Sequence, residues 1–160
     1  MSTLVGLKVL FNDGFFMKTV IKLLDDVAFE ATSGSGHTIT MDGATESGGK
    51  NLGARPMEML LMGLGGCSAY DVVTILRKSR QDITDLNVEI EAKRAKTDPK
   101  IFTSIHLHFK VYGRNLSNNI VERAINLSAE KYCSASIMLG KSAEITHDYE
   151  VYAPLVHSQD

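Results

Sequence analysis

The segment from Pro56 to Arg80 limits what this chain can become more than any other. Met57, Leu60, Leu61, Leu64, Cys67, Ser68, Asp71, Val72 and Ile75 follow the i, i+3, i+4, i+7 rhythm of a helix face. Pro56 suits the first helical position, where a missing N–H costs no hydrogen bond. Arg77, Lys78 and Arg80 put positive charge at the far end, where the aligned peptide dipoles favour it. From Met59 to Leu76, apolar or small residues run nearly all the way round, so the helix is expected to be buried on most sides. Gly63, Gly65 and Gly66 each cost about 1 kcal/mol against alanine in a helix interior. Their expected use is to let another backbone approach closely.

Strands flank this helix. Val20 to Leu24 reads as one strand ended by Asp25-Asp26, and Val27 to Ala31 and His37 to Met41 alternate on either side of a Gly34-Ser35-Gly36 turn, which is a hairpin pattern. Residues 42–53 hold Gly43, Gly48, Gly49 and Gly53 and read as a loop. Neither Gly34-Ser35-Gly36 nor Gly48-Gly49-Lys50 has the spacing of a phosphate-binding loop. After the helix, Leu86, Val88, Ile90 and Ala92 alternate with polar residues. So do Ile101, Thr103, Ile105, Leu107, Phe109 and Val111 against Phe102, Ser104, His106, His108 and Lys110, with a turn at Asp98-Pro99. One apolar and one polar face each predicts an antiparallel sheet half open to solvent. Ser117 is placed as the N-cap of a helix through Val121, Ala124 and Ile125, which runs out near Lys131-Tyr132. Cys133 stands at or just past its end, Ser134 to Leu139 form a further helical turn or two stopped by Gly140, and Ile145 to Tyr152 is a last strand. Strands, buried helix, two strands, helices and a strand make an α+β fold. The division expected is an extension over residues 1–16, a domain over 17–153 and a tail over 154–160.

A chain of 160 residues can hold a core without staples, since a domain of this size buries roughly 70% of its unfolded surface. The formal net charge of −2 and the lack of any like-charge block give no field to recruit nucleic acid, so no nucleic-acid partner is expected. No apolar run is expected to reach the roughly 20 residues of a membrane span, and no membrane partner is expected. The first residues lack a basic segment and a small-residue cleavage site, which argues against a signal peptide. Two cysteines are too few for a disulfide scaffold. A reducing, cytoplasmic location is the expectation, where a disulfide is more often transient than structural.

Those two cysteines, Cys67 and Cys133, are the candidate chemistry. Free cysteine is among the most buried residue types, so small inert core residues are the competing reading. A reactive thiol must ionise, which cations or a helix start promote. Cys133 has Lys131 and Lys141 near it in sequence, whereas Arg55 and Arg77 lie more than two turns from Cys67. His106 and His108 share a strand face, but two histidines are not a metal site. His147 reads as a polar residue near a strand, and Met57, Met59, Met62 and Met138 as core filling, with the lining of an adaptable pocket for an apolar ligand as the second reading. No cofactor or metal is expected.

Arg55-Pro56-Met57-Glu58-Met59-Leu60 followed by Gly65-Gly66-Cys67-Ser68, together with Glu130-Lys131-Tyr132-Cys133-Ser134, resembles the OsmC/Ohr family. The resemblance covers about Met17 to Tyr152. It implies an intertwined homodimer with two curved antiparallel sheets around long central helices and a site at the subunit interface. It further implies a peroxidatic Cys67 that attacks an organic hydroperoxide, a resolving Cys133 that captures it as a disulfide, and a thiol reductant of unknown identity. The family's glutamate stands ten residues before the cysteine, where this chain has Met57. Glu58, nine residues before Cys67, turns about 180° away on a helix and is expected to serve the first helical turn. The family's N-strand arginine has no counterpart, since residues 17–49 contain no arginine. The alternative function is a non-catalytic dimer that binds a small apolar ligand at its interface, and a plain structural dimer is a third.

Overall fold

The computed structural model describes residues 17–155. Its contacts divide the chain into two compact units, one ending at Glu58 and one starting at Met59. The expected extension over residues 1–16 lies outside the described residues, as do residues 156–160 of the tail.

The first unit is a three-stranded antiparallel sheet, β1 (Thr19–Asp25), β2 (Ala28–Ser33) and β3 (Thr38–Met41), in that order. Gly36 takes a left-handed φ of 88° in the turn between β2 and β3, a conformation that glycine adopts without strain. The loop after β3 is built on Asp42, a buried carboxylate that accepts from the backbone N–H groups of Gly43, Lys50 and Leu52 at 2.7, 2.8 and 3.1 Å. Those bonds, Leu52's first, overcome burial and hold the Asp42 carboxyl below its ordinary value. Lys50 turns its ammonium to Asp25 and Asp26 at 2.6 and 2.9 Å. Its glycine-rich surroundings thus serve loop architecture.

The second unit sets the remainder of the long helix α1 (Pro56–Lys78) with a sheet of β4 (Asp82–Arg94), β5 (Phe102–Arg114) and β6 (Glu144–Tyr152). Here the expectation of an antiparallel sheet is corrected. β4 and β5 form an antiparallel hairpin, but β6 runs parallel to β5, with Ile105 beside Ile145 and Val111 beside Val151. Alternation along a strand reports its faces and says nothing about its direction, which is why the pattern could not separate the two cases. The parallel pairing needs a crossover, and α2 (Asn118–Leu127), a π turn over Ser128–Tyr132 and α3 (Ser134–Leu139) provide it.

Ile105, Leu107, Phe109 and Val111 are buried as expected. At the strand start the register shifts between Lys93 and Arg94, so Phe102 is buried and Ile101 exposed, the reverse of strict alternation. Ser117 occupies the N-cap of α2 without using its hydroxyl as a cap. Its carbonyl accepts from Ile120 and Val121, and its N–H donates to Gln81 Oε1 at 2.8 Å.

α1 departs from the expectation in a way that matters below. Leu64, Gly65, Ser68, Val72 and Leu76 form one buried stripe, while Leu60 is 48%, Met62 56% and Tyr70 73% exposed. Met138 is 70% exposed, so the expectation of core filling is corrected for Met62 and Met138. Of the helix glycines, Gly65 packs closely: a Cβ there would stand 2.8 Å from Ile90 Cδ1, whereas Gly63 and Gly66 face open space. The expectation that no segment matches a membrane span is also corrected. α1 has 23 residues and a window of mean hydropathy 1.6, enough by length and composition. Of that window, 28% is buried.

On the outer face of the second sheet, His106 Nδ1 meets Thr146 Oγ1 at 2.8 Å and His108 Nδ1 meets Asp148 Oδ1 at 2.5 Å. The Asp148 hydrogen bond raises the His108 pKa against a smaller opposing effect of desolvation, and His108 in turn lowers that of Asp148. His108's contribution to stability is therefore complete below its unfolded value of about 6.5 and is lost as pH rises through its folded value. Asp148's is present above about 3.9 and is lost as pH falls through its folded value. Asp148→Asn should move the His108 imidazole titration to lower pH, read from its Cε1 proton by NMR. An unmoved titration would assign the shift to another group.

Candidate functional site

The two sulfurs reach one place from three pieces of local structure. Cys67 and Asp71 are one helical turn apart on α1, so their side chains share a face. Cys133 follows the π turn, whose last bond runs from the Cys133 N–H to the Ser128 carbonyl at 2.9 Å. At Cys133 the backbone is extended, with φ −72° and ψ 100°, and the residue becomes the N-cap of α3. Its Sγ accepts from the Ser136 N–H at 3.4 Å, the place an oxygen takes in an ordinary cap. The Cys67 Sγ, the Cys133 Sγ and an Asp71 carboxylate oxygen all lie within 4.8 Å of one another. Both cysteines are free thiols.

Three serines fix the arrangement. Ser68 donates its hydroxyl to Cys133 Sγ at 3.3 Å. Ser128 Oγ lies 3.4 Å from the Ser68 carbonyl and 3.3 Å from Asp71 Oδ2. Ser136 supplies the backbone donor already named. Cys133 is fully buried and Cys67 partly open, so a reagent from solvent meets Cys67 first.

The electrostatics divide the pair. Burial pushes the Cys133 thiol up, but the donors from Ser136, Ser68 and Cys67 outweigh it, and its pKa falls below the ordinary value. At Cys67 burial dominates and the Ala135 N–H only partly opposes it, while the neighbouring Cys133 and Asp71 charges push further up. The lowered pKa belongs to the buried sulfur and the raised one to the accessible sulfur. The Lys131 ammonium sits 5.5 Å from the centroid of the Tyr132 ring, and the leading causes of the Cys133 shift are burial and the donors from Ser136, Ser68 and Cys67.

Glu58 is engaged elsewhere. Its carboxylate accepts from the Arg55 N–H at 2.9 Å, the reach-back half of a capping box at the start of α1, and it is absent from the group around the sulfurs. His147 Nε2 pairs with Asn126 Oδ1 at 2.9 Å, tying β6 to α2. The residues that sequence reasoning missed are Asp71, Ser68, Ser128 and Ser136. Asp71 carried a signal, an acidic residue four positions after Cys67 on an otherwise apolar helix. The serines carried none, because their partners come from distant parts of the chain. Among the described residues, Cys67, Asp71 and Cys133 are the one group with three potential metal ligands. Beside it, a groove of about 630 Å³ between α1, α2 and the π turn is lined by Tyr70, Asp71, Ile75, Arg123, Leu127 and Tyr132, among others.

An α+β chain that brings a partly open thiol on the long helix α1 against a buried, donor-stabilised thiol on a crossover belongs to the class of dithiol proteins. Comparison narrows the class. Residues 48–148 match the family described as OsmC-like protein, and the chain belongs to that family. It is similar to Protein YhfA of Escherichia coli (strain K12), at 50% identity over 137 residues that cover 86% of this chain and 99% of that protein. A hypothetical protein from Aquifex aeolicus VF5 has a similar structure, with 31% identity, a TM-score of 0.77, and coverage of 88% of this chain and 98% of that one. The organic hydroperoxide resistance protein OsmC of Legionella pneumophila, at 14% identity, shares the fold with a TM-score of 0.64 over 88% of this chain and 98% of its own.

Proposed function

We propose that this protein reduces organic hydroperoxides with the Cys67–Cys133 pair, and that it does so as a homodimer. The observation that carries the reading is the meeting of the two sulfurs, one reachable and one sealed. Its fold relative in Legionella pneumophila is described as an organic hydroperoxide resistance protein, which supports the substrate class.

The geometry suggests a division of labour. In this scheme Cys133 acts as the thiolate, a form that donation from the Ser68 hydroxyl and the Ser136 N–H favours, and takes the proton of Cys67 as the Cys67 sulfur attacks the distal peroxide oxygen. The O–O bond breaks, the leaving alkoxide takes that proton back from Cys133 and departs as the alcohol, and Cys67 becomes a sulfenic acid. The regenerated Cys133 thiolate then attacks the Cys67 sulfur, hydroxide leaves and takes a proton from solvent to become water, and a disulfide remains. An external dithiol restores both thiols by exchange. No arginine is needed for the proton step in this scheme, in keeping with the arginine-free residues 17–49.

The test is to treat reduced protein with excess cumene hydroperoxide. Loss of two thiols per chain, with the mass of an intramolecular disulfide and no loss in Cys67→Ser, is the expected result. Unchanged thiols would refute it. A second reading, a binding protein for a small apolar ligand, draws on the groove beside Asp71. It predicts saturable uptake of an apolar dye that survives Cys67→Ser.

A homodimer accounts for the uncovered apolar face of α1 and for β1, exposed along its whole length although it carries Val20, Ile21, Leu23 and Leu24. Exposed apolar surface, on each of these elements by itself, marks an interaction face. Light scattering at micromolar concentration should give twice the chain mass, and a monomer there would overturn the dimer.

A further inference from the structure

We propose that the reduced site binds one zinc ion per chain through Cys67, Asp71 and Cys133. This uses the sulfurs of the proposed peroxidase but does not depend on turnover. Two thiols and a carboxylate are a donor set that zinc accepts, with sulfur bonds of about 2.3 Å and oxygen bonds of about 2.1 Å. At tetrahedral angles such donors stand ~3.6–3.8 Å apart. The three side chains already lie within 4.8 Å of one another, so closing on an ion needs small side-chain movements only.

Two further observations support the site. Cys67 and Asp71, one turn apart, form a two-ligand face on a regular helix, and the third donor sits on the adjacent helix cap. Each of two ligands is held from behind: Ser128 Oγ by Asp71 Oδ2, and Ser68 Oγ and the Ser136 N–H at Cys133 Sγ. Such outer partners orient metal ligands and sharpen affinity. Thiolate ligands favour zinc over magnesium or calcium. The fourth position stays open to water.

Binding releases the thiol protons and ties up both sulfurs. A zinc-loaded site is thereby protected from hydroperoxide, and oxidation to the disulfide expels the ion.

The experiment titrates the reduced, full-length protein with cobalt(II) as a spectroscopic substitute and with zinc(II) by calorimetry, without hydroperoxide. The expected result is one ion per chain, a sulfur-to-cobalt charge-transfer band in the near ultraviolet and visible bands of tetrahedral intensity, all removed by zinc. Cys133→Ser should lose about half the charge-transfer intensity. Asp71→Ala, checked for folding by circular dichroism, should weaken zinc at least ~10-fold with both thiols intact. Disulfide-oxidised protein should bind none. The absence of thiolate bands in reduced wild-type protein overturns the site, as does affinity unchanged in folded Asp71→Ala. Thiolate-bound metal in a protein inert to cumene hydroperoxide would refute the peroxidase alone. The converse outcome would refute zinc alone.

Discussion

Cys133→Ser will stop disulfide formation and slow the first oxidation of Cys67 by about 100-fold, while leaving the fold standing. Serine is among the best N-cap residues, so its hydroxyl can take over the Ser136 N–H and α3 keeps its start. The chemistry has no such substitute. A serine hydroxyl remains protonated near neutral pH and cannot accept the Cys67 proton. Loss of a positioned base costs about 10²–10⁴ in rate. Single-turnover mixing with cumene hydroperoxide measures the rate, and dimedone should label the stranded sulfenic acid at Cys67. If Cys133→Ser oxidises Cys67 as fast as the parent does, Cys133 is not the base and serves at most as the resolving thiol.

A second large effect should appear in stability. Leu64 is fully buried in the α1 stripe, and Leu64→Ala removes its contacts and leaves a cavity, at a cost of about 3 kcal/mol. For a unit of this size that lowers Tm by about 10–20 °C. Leu60, one turn earlier, is 48% exposed in the protomer. If α1 met water there, Leu60→Ala would change stability by less than about 1 kcal/mol at any protein concentration. With a second copy covering that face, the variant should instead weaken association, and its Tm should fall on dilution more than that of the parent. Thermal melts at two concentrations separate the cases, and a Leu60→Ala melt that tracks the parent at both would count against the dimer.

Much of this was legible in the residues because it depends on local rules. The α1 rhythm, the hairpin around Gly36, the buried row from Ile105 to Val111 and the helix stop before Cys133 all follow from spacing within one segment. Membership of the OsmC-like family was legible too, by resemblance around both cysteines and not by spacing. What escaped was set by partners far away in sequence. Ser117 lost its capping role because Gln81 and the backbone satisfied that helix start instead. Phe102 changed faces because of a register shift. Glu58 could be read from periodicity as turned away from Cys67, but its bond to the Arg55 N–H belongs to cap geometry. The polarity of the thiols was the least legible feature. The charges near Cys133 in sequence pointed to lysine, while the folded site uses serines and an amide from α1 and α3.

The direction of β6 has a consequence for the thiols. A hairpin return after β5 could have ended in a few residues. Running alongside β5 obliges the chain to travel back first, and residues 115–143 make that journey with Cys133 aboard. The second sulfur is therefore delivered by the detour itself. Trimming the Asp98-Pro99 turn should leave the thiols facing each other, whereas deleting one residue between Leu127 and Cys133 should rotate the cap and part them.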